Sequence, residues 1–144
     1  MQIINFLDDK LEKIQSKTIF SLFIIILLGL IIRVYFTPWD LPTNSSDAFI
    51  LMIEGIAFSE GDFTYLSHRS LWPLFLSGFF SIFKFESYFE YMTLIRIISI
   101  SVSLATIPII YLISKEFVKE KYALIAAILF TLESNLIENS IFGQ

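Results

Sequence analysis

Asp47 is the residue best placed to do chemistry. It follows Thr43-Asn44-Ser45-Ser46 at the start of a helical pattern, just beyond a long apolar run. A carboxylate there can take a proton from an attacking hydroxyl or amine. Asp is also a preferred helix N-cap, and the helix start accounts for it without any chemistry. Glu54 stands about two turns further along the same face, roughly 10 Å away, too far to share a proton with Asp47 directly. A headgroup-facing position explains it. His68 and Arg69 suit a lipid phosphate or diphosphate, and read equally well as an ordinary interfacial pair. Arg96 opens a later apolar run, where a long side chain can snorkel to the interface. Glu133 and Glu138 lie toward the end of the last apolar run, where an intramembrane carboxylate is a functional suspect.

Asp47, Glu54, His68 and Arg69 gather on one stretch, 36–72, which holds five of the fourteen carboxylates, the single histidine and both tryptophans. The rest is mostly hydrocarbon. The 144 residues are 56% hydrophobic, 17% aromatic and 17% charged, with a mean hydropathy of +0.73. Soluble domains carry about 25% charged residues, so the departure is toward a membrane protein. The absence of cysteine excludes disulfides and thiolate metal sites. A net charge of −4 argues against nucleic acid as a partner. With one histidine a zinc site is not expected; a hard divalent cation held by carboxylates and water stays open. No Gly-rich phosphate loop, HExxH or Ser/His/Asp order is present.

The elements that must position these residues are helical. Residues 1–17 suit a short amphipathic lead-in, with Ile4, Leu7 and Leu11 on one face. Residues 18–36 approach the ~20 needed to cross a bilayer core, and read as a retained anchor, since no small-x-small cleavage site follows. Arg33 lies near the far end, placed to snorkel; Tyr35, Phe36 and Trp39 form an interfacial belt, and Pro38 and Pro42 stop the helix. A surface helix is expected over 47–60, ended by Gly61-Asp62. The apolar run 71–85 is short for a crossing. Residues 92–114 and 122–138 read as further spans, the former with Pro108 as an expected kink, joined by the charged turn 115–121.

Lysine placement decides between three and four crossings. Three spans put Lys10, Lys13, Lys17, Lys115, Lys119 and Lys121 inside and Arg69, Lys84 and Arg96 outside; a fourth at 71–85 evens the split. The positive-inside rule favours three. The expected fold is therefore an all-α membrane protein with about three transmembrane helices and juxtamembrane helices on the outer face. The N-terminus is cytoplasmic, and the loop 37–91 is extracytoplasmic with 71–85 embedded in it.

In its order of features the chain resembles the GT-C membrane glycosyltransferases, in particular the branch of protein mannosyltransferases and lipid A aminoarabinose transferases. The features are Asp47 after the first span, a helix to Glu60, Gly61-Asp62, His68 and Pro73, the apolar run 74–85, and Arg96 opening the next span. The turn Lys115-Glu-Phe-Val-Lys-Glu-Lys121 and the following Ala-Leu-Ile-Ala-Ala-Ile also match the family's passage between spans. The resemblance covers roughly residues 18–144. It implies a cell-membrane transferase that moves a sugar from a polyprenyl-phosphate donor to a protein or lipid acceptor. Asp47 would be the base, and His68, Arg69 and Arg96 would hold the lipid phosphate. Two features depart from the pattern: Ala48 stands where a second acid often follows, and the basic residues precede Pro73 by several positions. The family's further outer-loop acid and later spans are not reached, so the chain is expected to be an N-terminal portion with little activity alone. The competing expectation is a non-catalytic multi-pass module, an assembly subunit or transporter piece; Ser99 and Ser103 offer only a faint small-residue face for assembly.

Overall fold

A computed structural model describes residues 2–41, 46–64 and 71–143, with side-chain detail for 17–41, 47–64 and 71–143. Among the described residues every regular element is a helix, and there is no strand. In chain order the helices are α1 (Gln2–Phe36), α2 (Ser46–Ser59), α3 (Leu71–Ile82), α4 (Tyr88–Phe117), α5 (Glu120–Thr131) and α6 (Ser134–Phe142). Two are long and apolar enough to cross a membrane, Lys17–Phe36 within α1 and all of α4; α5 and α6 together make a third candidate, bent by 50°.

The lead-in and the first span are one helix rather than two, because no Gly or Pro interrupts the chain before Gly29. Its lipid-facing side carries Phe20, Phe23, Leu27 and Ile31, all exposed. Tyr35 and Phe36 are exposed at its end, as an interfacial belt requires. Thr37 closes the helix, its hydroxyl donating to the Arg33 carbonyl at 2.6 Å, and Pro38 follows.

The long helix α4 begins at Tyr88, ahead of the expected Met92. Ser87 and Glu90 form a capping box: Ser87 N–H donates to Glu90 at 3.3 Å, while the Ser87 hydroxyl accepts from Phe89 N–H at 3.2 Å. The helix runs through Pro108 to Phe117. At its far end Thr18 donates to Glu120, so Lys17 and the basic turn 115–121 lie at the same end of the bundle.

The run expected as a span over 122–138 is bent. It breaks at Leu132-Glu133, where the Glu133 carboxylate accepts from Leu136 N–H at 2.7 Å and starts a new helix. A carboxylate that caps its own downstream amides competes with the helix that precedes it. The new helix ends at Gly143, whose φ of +83° is left-handed; a Cβ there would also sit 2.4 Å from Ile95.

Two apolar clusters divide the molecule. Near the start of α4, Met52, Leu76 and Phe80 from α2 and α3 pack on Met92, Ile95 and Ile98. Toward its far end, Ile25 of α1 and Ala123 and Ala127 of α5 pack on Ile107 and Tyr111. At 12 residues α3 reaches only roughly 18 Å, against about 30 Å of hydrocarbon, short of a crossing by its own length, and it packs beside α2.

Candidate functional site

The end of the bundle opposite the basic turn holds every described candidate residue. Asp47 is exposed in the first turn of α2, where a carboxylate is favoured by the unpaired amides. A ring contact between Phe49 and Tyr88, at 6.3 Å, sets this turn beside the start of α4. The Thr-Asn-Ser run expected to cap α2, and His68 and Arg69, lie outside the described residues. Glu54 is half-buried, and one of its carboxylate oxygens is enclosed without a hydrogen-bond partner. Asp62 folds back on the turn after α2, accepting from the hydroxyl and the amide of Thr64, the latter at 2.9 Å. Those bonds, the hydroxyl first, hold its carboxyl below the ordinary carboxylate range.

Arg96 does not snorkel. It is 1% exposed, and its guanidinium donates to the carbonyls of Pro38 and Leu41, both at 2.9 Å. The chain leaving α1 after a proline has carbonyls with no helical partner, and a planar fork on the neighbouring helix satisfies two of them. Arg96 therefore fixes the path from α1 toward α2.

Arg33 is likewise buried, 0% exposed, against the expectation of a snorkelling side chain. Its Nε donates to the Ser103 hydroxyl at 3.1 Å, and Nη1 to the carbonyls of Gly29 at 3.2 Å and Thr131 at 3.4 Å. The break at Leu132 leaves the Thr131 carbonyl without a continuing helix, and a cation at that helix end is favourable. Room for the guanidinium comes from small residues: a Cβ on Gly29 would lie 2.9 Å from the Thr131 methyl and 3.3 Å from Arg33 Nη1.

Beside this seam opens a cleft of about 590 Å³, lined by Trp72 of α3, Ser99, Val102 and Ser103 of α4, and Leu136 and Asn139 of α6 among others. Ser99 and Ser103 stand one turn apart on its wall. The residues expected from sequence do not converge on it. Tyr88, beside which α2 places its first turn, is roughly 16 Å from Ser99 along α4. The sequence alone reads Arg33 as a snorkelling side chain and Ser99/Ser103 as a faint small-residue face, and does not bring them together. The signal available was Gly29 one turn before Arg33 together with Ser99-x-x-x-Ser103, small residues able to admit a large polar group. Among the described residues no three His, Asp or Glu side chains come together as a metal-binding group.

Set against protein-family models, curated proteins and solved structures, the chain matches none of them.

Proposed function

We propose that the chain is the N-terminal part of a membrane glycosyltransferase that takes its sugar from a polyprenyl-phosphate donor on the outer face. The observation that supports this most is the layer formed by α2 and α3 across the start of α4. It presents a carboxylate, Asp47, on an exposed helix start at the end of the bundle away from Lys17 and the turn 115–121. Arg96 braces the path into that layer. With Lys17 and the turn 115–121 together at the other end, the positive-inside rule puts the Asp47 end outside the cytoplasm. In this reading Asp47 accepts the proton of the acceptor's hydroxyl or amine as it attacks the sugar carbon, and the polyprenyl phosphate leaves. His68 and Arg69 are the proposed contacts to that phosphate.

A second reading, a non-catalytic multi-pass module, is favoured by one observation, the break between α5 and α6. Discontinuous spans are common where transporters bind their cargo. The two readings part on one substitution. In membranes containing the gene product, Asp47→Asn is expected to abolish transfer of labelled sugar from polyprenyl phosphate while leaving insertion intact. A fully active Asp47→Asn protein overturns the base.

A further inference from the structure

Arg33 is a fully buried cation whose three hydrogen bonds, among the described residues, all go to neutral oxygens, and its Nη2 has no partner. A charge held inside a membrane protein without a counter-ion is costly, and such charges ordinarily face a partner or a pathway. A second buried group nearby is also unpaired. Ser99 is 4% exposed, lies on the wall of the cleft, and its hydroxyl has no hydrogen bond. One turn on, the Ser103 hydroxyl lines the same wall; it accepts from Arg33 Nε, which leaves its own proton available. Ser99 and Ser103 thus bring two hydroxyls to one wall of the cleft, Ser103 polarised by a guanidinium, and neither donates a hydrogen bond among the described residues; the Asn139 side chain stands on the lining as well. Ser140 and Thr106 also line the cleft, but their hydroxyls already donate to the carbonyls of Ile137 and Val102.

The cleft continues into an apolar groove of about 660 Å³ lined by Leu71, Trp72, Phe75 and Val102, sharing Trp72 and Val102 with it. A largely apolar cleft that carries two serine hydroxyls on one wall, with a buried cation behind Ser103, and that joins a hydrocarbon groove has the shape of an anionic amphiphile. Its depth agrees: Arg33 stands one turn below Phe36, the end of the first span, at headgroup level.

We infer that this cleft holds the phosphate of an anionic glycerophospholipid, which accepts from the Ser99 and Ser103 hydroxyls with Arg33 supplying the charge, and with acyl chain along Leu71 and Phe75. The inference goes beyond sugar transfer and does not need it, since the cleft and the start of α4 beside Asp47 are roughly 16 Å apart along that helix.

Trp72 lines both compartments, and in a Trp39→Phe chain it is the sole tryptophan. The test is to titrate that protein, in maltoside micelles, with phosphatidylglycerol, with the matching diacylglycerol and with inorganic phosphate, reading Trp72 emission. Phosphatidylglycerol is expected to give a saturable change. Diacylglycerol should bind at least about tenfold more weakly, the loss of a charge-assisted hydrogen bond. Inorganic phosphate should neither shift the emission nor displace the lipid. Arg33→Gln is expected to cost about tenfold or more. Because Arg33 also caps α5, Ser99→Ala is the decisive variant: it removes no bond within the protein and should weaken phosphatidylglycerol several-fold. Equal binding of diacylglycerol, or an unchanged Ser99→Ala affinity, overturns the phosphate site. Displacement by inorganic phosphate overturns the lipid as its source.

Discussion

Two buried arginines, one in each region of the bundle, solve the same problem differently. Arg96 sits above the cluster of Met52, Leu76, Phe80 and Met92, where large side chains fill the space between an amphipathic layer and α4. Its guanidinium reaches out to the loop carbonyls of Leu41 and of Pro38, the latter also accepting from Leu41 N–H at 3.3 Å. Arg33 sits above the seam of α1, α4 and α5, whose core includes Ala123 and Ala127 and whose approach is lined by Gly29. There the backbones come close enough for a guanidinium to touch three helices. Small residues let helices pack closely in lipid, where hydrophobicity cannot drive them together. In the α2–α3 layer, burial of large apolar groups can. Each arginine leaves one nitrogen without a partner, Nε of Arg96 and Nη2 of Arg33. Arg96 braces a loop, whereas Arg33 bonds to Ser103 on the wall of an open cleft.

That contrast can be broken by substitution. Arg96→Ala should have the largest effect, leaving the Pro38 and Leu41 carbonyls without their guanidinium donors. A loss of roughly 3 kcal/mol is expected, seen as a lower melting temperature in micelles and faster amide exchange near residue 41. Gly29→Ala should cost less, about 1–2 kcal/mol, from overpacking against Thr131 and Leu104 offset by better helix propensity. Its signature should be confined to the α1–α5 seam, with amide exchange raised there and loop exchange unchanged. Gly55→Ala is the mirror test in the other region. Its Cβ would meet the Phe80 ring at 2.9 Å, so about 1 kcal/mol should be lost, with α2–α3 exchange raised and the Arg33 seam untouched. Should Gly29→Ala and Gly55→Ala loosen both regions equally, the division into two clusters is wrong.

The smallest effect concerns pH. The folded-state pKa of Asp62 is lowered, so its bonds to Thr64 are present above the ordinary carboxylate range and are lost as pH falls through the folded value. Thr64 amide protection should therefore hold at neutral pH and fall only in acid, below about pH 4. Protection that falls on raising the pH would contradict the sign.

Much of this architecture was legible in the residues. Thr37-Pro38 ends the first span, Gly61-Asp62 ends α2, and the shortness of the 71–85 run agrees with a helix that does not cross. Ser87-x-x-Glu90 is a capping box in plain view and dates the start of α4 to Tyr88, a signal the apolar run at Met92 overshadowed. The break at Leu132-Glu133 was hidden because the apolar pattern runs on through it, and only the local hydrogen bonds of Glu133 decide the outcome. The fates of Arg33 and Arg96 were hidden for a different reason. An arginine near the end of a span reads the same whether it snorkels or turns inward. The choice depends on residues distant in sequence, Ser103 and Thr131 for one and Pro38 and Leu41 for the other.

The proposed function rests on a single orientation, in which the end carrying Asp47 and both arginines faces away from the cytoplasm. The chain has no cysteine, so a single introduced thiol reports its own side without background. Cysteine at Asp40, exposed after α1, and at Val118, exposed in the turn between α4 and α5, mark the two ends. In intact cells, Asp40→Cys is expected to react with a membrane-impermeant maleimide and Val118→Cys only after the membrane is opened. The reverse pattern would contradict the orientation, and with it the placement of the proposed chemistry on the outer face.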